Sequence, residues 1–97
     1  MKHKSIIQNG SECYICRRPA TEVHHCLFGT ADRKKADEDG LFIPVCRSCH
    51  NAIHNPKNDF DKWLQKALKQ IAQEKWMEYY HKKKRDFIIR YGKNYLG

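Results

Sequence analysis

The sequence predicts a small single α+β domain with a helical C-terminal extension, and three observations predict it. The 97 residues leave room for one domain, since independent domains usually need roughly 100 to 150 residues. Residues 1–56 hold every cysteine, all three prolines and five of the six histidines, with two short β-like runs among them. Residues 57–97 instead carry a helical apolar rhythm on a basic background.

Each element follows from its own residues. Residues 21–25 and 41–46 read as short strands, and the polar stretch 29–40 between them reads as the connection of a loose hairpin. Pro19 and Pro44 shape the turns around it. A helix is expected to begin near Cys46. Beyond it, Phe60, Trp63, Leu64, Ala67, Leu68, Ile71 and Ala72 recur at three- and four-residue steps, with Asn58 or Asp59 placed to cap the start. This gives an amphipathic helix of about six turns ending near Tyr80, in which Trp63 and Trp76 are packing anchors. A second short helix is expected over about 84–91, with Gly92 as its stop. The tail after it is expected to be loosely held.

Composition narrows the function classes. The chain has 19 Lys+Arg against 11 Asp+Glu, a net +8, and 31% charged residues, above the roughly 25% of ordinary globular chains. An acidic polymer is the natural partner of such a charge. No uncharged apolar run approaches the roughly 20 residues that cross a bilayer, so no membrane partner is expected. The basic start is followed only by Ile6 and Ile7 before polar residues, so a secretory signal is not expected either. Five cysteines then belong to a reducing compartment, where thiolates hold metal more often than they pair. Burial alone in so short a chain gives only about 3 to 5 kcal/mol, so a metal staple is physically useful.

The cysteine spacing points to that staple. Cys13-x2-Cys16 is followed, after 29 intervening residues, by Cys46-x2-Cys49. Each two-residue spacer folds a knuckle that aims both sulfurs at one point, and four thiolates satisfy the tetrahedral preference of Zn²⁺. Two disulfides conflict with the compartment, and a redox Cys-x-x-Cys would not need a second copy. The separation exceeds the roughly 15 to 20 residues of a simple zinc ribbon, so the zinc clamps something folded between its halves. Tyr14 and Ile15 are expected to cover the ion, and Cys26 to be a small buried side chain rather than a fifth ligand.

The clamped insert contains His24 and His25, and the last zinc cysteine is followed by His50 and His54. On a helix, His50 and His54 stand at i, i+4, about 5 to 6 Å apart at their Cβ atoms, close enough to share one ion. Cys49 is rotated by about 100° from His50, so one helix can serve two metal sites. Taken alone, the pair would merely decorate a polar helix; beside His24 and His25 it reads as a functional site. Successive strand residues point to opposite faces, so a bulge, a strong twist or the end of the strand is expected here if both histidines are to reach one centre. His3 and His81 have no partners in sequence.

The run His24-His25-Cys26-Leu27-Phe28-Gly29-Thr30-Ala31-Asp32-Arg33-Lys34, with Gly40-Leu41 and Cys46-Arg47-Ser48-Cys49-His50, resembles the HNH endonucleases. It is most similar to the phage-borne, Ref-type, RecA-dependent members that enhance recombination. The resemblance covers roughly residues 11–55 and continues loosely through the C-terminal helices. It implies a zinc-stabilised, treble-clef-like ββα-metal core over 11–56, with a basic helical extension over 57–97. It also implies a DNA endonuclease acting in phage or prophage recombination in the cytoplasm of a bacterial host, with a RecA filament on single-stranded DNA as a further partner. His25 aligns with the general base, His24 and His50 with ligands of the catalytic ion, and His54 with the additional histidine of four-residue-spaced members. Cys13, Cys16, Cys46 and Cys49 match the zinc clamp of many phage members. The family's middle Asn falls on Leu41, and Asp39 or a backbone carbonyl is expected to orient the base instead.

The chemistry is coherent in its own right. A neutral imidazole accepts a proton at physiological pH, which suits His25. An all-imidazole ligand set favours Zn²⁺, Ni²⁺, Co²⁺ or Mn²⁺, whereas Mg²⁺ prefers oxygen; family members nevertheless often work with Mg²⁺. The products expected are a 5′ phosphate and a 3′ hydroxyl. Residues 50–97 carry 11 Lys+Arg against 5 Asp+Glu, a balance of +6. Within them Lys82, Lys83, Lys84 and Arg85 form a run suited to the DNA backbone, while Lys62, Lys66 and Lys69 read as a solvated face. Arg33, Lys34 and Lys35 lie nearer the proposed centre and are candidates for gripping phosphates. The rival reading is a non-catalytic zinc module that binds DNA or RNA.

Overall fold

A computed structural model of the protein describes residues 4–27 and 30–97. Its elements run β1 (Glu22–His25), α1 (Thr30–Asp39), β2 (Phe42–Val45), α2 (Arg47–His54), α3 (Asp59–Tyr80) and α4 (Lys84–Tyr91), a small α+β arrangement of four helices and one two-stranded sheet. Among the described residues no helix is long and apolar enough to cross a membrane.

The strands pair antiparallel in an unbroken register, Glu22 with Val45, Val23 with Pro44, His24 with Ile43 and His25 with Phe42. Their connection is not the loose loop expected for residues 29–40. It is a helix, α1, in which Ala31, Arg33, Lys34, Lys35, Ala36 and Glu38 favour the helix and an apolar stripe is almost absent; among its described side chains only Ala36 is buried. The helix ends in a Schellman turn, in which Leu41 N donates to Ala36 O at 2.8 Å and Gly40 N to Asp37 O at 3.3 Å. Gly40 adopts φ +80°, and a Cβ there would meet Lys4 O at 2.5 Å, so only glycine serves.

α2 starts where the sequence placed it, with Cys46 as N-cap. α3 starts at the expected cap: Asp61 N donates to Asn58 Oδ1 at 2.8 Å, and Asp59 and Asp61 complement the helix dipole in the first turn. Leu64, Leu68, Ala72 and Trp76 form its buried row. Trp76 anchors the core as expected, edge-on to Phe87 at 5.4 Å. Phe60 and Trp63 do not: each is 59% exposed, because they lie off the row that α2 and α4 cover. α4 is capped by Asp86, whose Oδ2 accepts from Lys83 N at 2.9 Å, and stops at Gly92 with φ +78°. One apolar cluster runs from Cys13 through Leu27, Leu41, Ile43, Ile53 and Leu68 to Phe87 and Tyr91.

The C-terminal tail, expected to be loose, is tied to α3. Buried Gln73 donates to Asn94 Oδ1 at 2.8 Å and accepts from Tyr95 N at 2.7 Å, and Gln70 donates to Tyr95 O at 3.0 Å. Asp39, at the end of α1, joins that helix to α3 and α4. Its carboxylate accepts from Trp76 Nε1, Arg90 Nε and Nη2, and Tyr91 Oη at 2.6–2.9 Å.

Candidate metal centres

The first centre is built by two knuckles. The segment around Cys13 and Cys16 is closed by a Glu12–Pro19 bridge and by Cys13 N donating to Arg18 O at 2.7 Å. The second pair sits at the start of α2, where Cys46 Sγ accepts from Cys49 N at 3.5 Å. The sulfurs of Cys13, Cys16, Cys46 and Cys49 all lie within 4.8 Å of one another, and those of Cys16 and Cys46 are 3.6 Å apart. A tetrahedral ion with sulfur at about 2.3 Å needs sulfurs roughly 3.8 Å apart, so the set fits a structural metal such as zinc. Burial alone would raise the Cys13 thiol, but backbone hydrogen bonds involving Cys16, Cys46 and Ile15 outweigh it and bring it down to about 6. Cys46 is lowered as well, by the backbone hydrogen bond from Cys49, whereas burial and the neighbouring sulfurs push Cys49 up; a bound cation would draw all four to the ligating thiolate. Cys26 stays apart, fully buried with its thiol pushed up by burial to about 12; it is an inert packing residue, as expected.

The second centre joins β1 to α2. The ring nitrogens of His24, His50 and His54 can converge within 4.8 Å, with ring centroids 5.4 Å apart for His24–His50, 5.1 Å for His24–His54 and 4.9 Å for His50–His54. His24 is 1% exposed; burial, followed by the neighbouring His54 and His50, pulls its pKa down to about 3. Burial also lowers His54, with His50 and Arg33 adding to the effect. Neutral imidazoles are the form that binds a metal.

A residue not singled out from sequence supports this centre. Glu22 Oε1 lies 2.7 Å from His50 Nδ1, and Oε2 accepts from Arg47 Nε at 3.1 Å. A carboxylate only accepts, so Nδ1 carries the hydrogen and Nε2 keeps the lone pair for a metal. The bond to His50, then that to Arg47, holds Glu22 below the usual carboxylate range. One signal was available: Glu22 and His24 are two residues apart on a strand and share a face.

His25 takes the opposite face. β1 carries no bulge and ends at His25, one of the three expected alternatives, yet with the register regular up to that residue alternation still sends the two rings apart. The ring of His25 meets Phe42 at 5.6 Å, and its Nε2 lies 3.1 Å from Asp37 Oδ1. Asp37, not the expected Asp39, is thus the carboxylate beside His25; Asp39 is committed to Trp76, Arg90 and Tyr91. The sequence carries no signal for Asp37, because its segment has no apolar period to mark it as a helix.

The basic candidates separate. Arg33 and Lys34 line a pocket of about 380 Å³ with His25 and Asp37, and the charge of Arg33 also reaches His54. Lys35 turns away, donating to Arg90 O at 2.8 Å. Lys82, Lys83, Lys84 and Arg85 are exposed at the turn between α3 and α4, where Lys84 Nζ donates to Gly97 O at 2.6 Å. His81 caps α3 in the left-handed conformation, and His3 lies outside the described residues.

Fold and site together define a small α+β protein carrying a four-cysteine cluster and a three-histidine cluster on one shared helix. The chain belongs to the family described as "Protein of unknown function (DUF968)", whose model matches residues 6–78 and so spans both clusters. No curated protein and no solved structure matches it.

Proposed function

We propose that this protein is a metal-dependent DNA endonuclease of the HNH type, built on a zinc-clamped ββα-metal core and hydrolysing phosphodiester bonds to a 5′ phosphate and a 3′ hydroxyl. The observation that carries this reading is the convergence of His24, His50 and His54 from a strand and a helix; His25 lies on the other face of β1, and Arg33, which lines its pocket and whose charge reaches His54, connects the two places. A divalent ion bound by those three histidines would supply Lewis-acid neutralisation of the charge that builds on the phosphate and the departing 3′ oxygen.

The protein's own groups account for the rest. Arg33 and Lys34 attract and grip the phosphodiester beside His25. His25 accepts a proton from water as the water oxygen bonds to phosphorus and the bond from phosphorus to the 3′ oxygen breaks, and the departing 3′ oxygen takes a proton from solvent to become the hydroxyl. Glu22 fixes the ring of His50. The exposed Lys82, Lys83, Lys84 and Arg85 extend the basic surface for the DNA backbone, and binding should weaken steeply with salt.

A plasmid-nicking assay with Mg²⁺ or Mn²⁺ tests the reading. The wild-type chain should cut, and His25→Ala should retain DNA yet cut about 10²- to 10⁴-fold more slowly. Equal rates for the two would refute the assignment of the base. Tight DNA binding with no turnover in any metal would favour a non-catalytic zinc module.

A further inference from the structure

The carboxylate of Asp37 stands where a phosphate-gripping pocket gains nothing from it. The pocket is lined by His25, Arg33, Lys34 and Asp37, and a negative charge there works against the two cations when an anion enters. Nor does it add much to stability, since the Asp37 side chain is 51% exposed and a half-exposed pair is largely screened. Among the described residues, its carboxylate makes one side-chain hydrogen bond, to the imidazole of His25, 3.1 Å from Nε2.

That contact has a direction. A carboxylate only accepts, so Asp37 selects the tautomer with hydrogen on Nε2 and leaves the lone pair on Nδ1. Phe42, the register partner of His25, packs its ring at 5.6 Å and limits how far the imidazole can turn. Asp37 is itself anchored, because its carbonyl takes part in the Schellman turn at Gly40.

We propose that Asp37 is the positioning residue for His25, holding the ring and its Nε2–H tautomer so that Nδ1 accepts the proton of the attacking water. The proposal rests on the nuclease reading of His25. A carboxylate that disfavours substrate yet orients the base should act on turnover and not on binding.

Asp37→Ala in the metal-loaded full chain tests this with two readouts. In plasmid cleavage, kcat should fall about 10- to 100-fold, as when other groups that hold a reactive imidazole are removed, while KM stays level or falls. In ¹⁵N imidazole spectra, His25 should be the Nε2–H tautomer in the wild type and a mixture of tautomers in Asp37→Ala. An unchanged tautomer overturns the proposal, and so does a raised KM with kcat intact, which would make Asp37 a wall of the pocket. If the wild type cuts no DNA with any metal, the nuclease reading fails by itself. The spectra then decide alone whether Asp37 positions His25.

Discussion

Asp39→Ala is the substitution whose cost can be worked most directly from the structure. It removes the acceptor for Trp76 Nε1 at 2.8 Å, Arg90 Nε at 2.6 Å and Nη2 at 2.9 Å, and Tyr91 Oη at 2.6 Å. The hydrogen bond from Tyr80 Oη to the Asp39 carbonyl, at 2.9 Å, survives. Stripping one partner from a fully buried charge pair costs about 3 to 5 kcal/mol. The Asp39 side chain is 13% exposed but that of Arg90 is 34% exposed, so the guanidinium regains water and the loss is discounted to about 2 to 4 kcal/mol. For a chain of this size, each kcal/mol lowers Tm by about 4–8 °C. Scanning calorimetry at fixed zinc should therefore show a drop of roughly 10–30 °C. Nicking at a temperature where both proteins are folded should proceed at equal rates, because Asp39 serves α3 and α4 and not His25. A drop under about 3 °C would refute the reckoning of the hub. Loss of nicking in a folded Asp39→Ala would return Asp39 to the catalytic site.

Three further outcomes are expected. Glu22→Gln should weaken ion binding at the histidine cluster about 10- to 100-fold by calorimetry; unchanged affinity would show that Glu22 does not orient His50. Cobalt substitution should give a thiolate charge-transfer band for a four-sulfur site, lost in Cys16→Ser but kept in Cys26→Ala; the reverse pattern would place Cys26 in the ligand set. With the cysteine site loaded and the histidine site stripped, stability should fall as pH drops below about 6.5 toward 3. His24, whose folded pKa is near 3, stays neutral there while the unfolded chain takes up its proton, a contribution approaching about 1.4 kcal/mol per pH unit. Denaturation midpoints flat between pH 7 and 5 would contradict the burial of a neutral His24.

Most of this arrangement was legible wherever a periodic pattern carried it. The strands around His24 and Ile43, the row Leu64–Leu68–Ala72, the start at Asn58 and the stop at Gly92 all follow from spacing and capping. The cysteine set, and the i, i+4 pair with His24, likewise followed from ligand spacing. What escaped had no period. Among its described side chains α1 buries only Ala36, so it has almost no apolar rhythm and its charged residues read as a loop; with it go the positions of Asp37 and Asp39. Trp63 was misplaced because a three-to-four-residue apolar pattern is wider than the strip that α2 and α4 cover. The hold on the tail came from Gln73, a polar residue whose burial no hydrophobic pattern announces.

The two centres follow from two chain periods meeting at one helix. On β1 the period of two puts Glu22 and His24 on one face and His25 on the other, so a histidine doublet serves two places without any distortion of the strand. On α2, adjacent residues diverge by about 100° while i, i+4 neighbours align. Cys49 can therefore face the sulfur cluster as His50 and His54 face His24. An eight-residue helix is too short to hold its phase unaided. Its register is set from outside: Cys46, itself a candidate ligand, is the N-cap whose Sγ accepts from Cys49 N, while Ile53 enters the core and its carbonyl accepts from Gln65 at 2.7 Å. Because the cap is part of the sulfur set, the same contact that closes the clamp sets the angle at which His50 and His54 are presented. Sulfur and imidazole are thus linked by geometry before any ion binds.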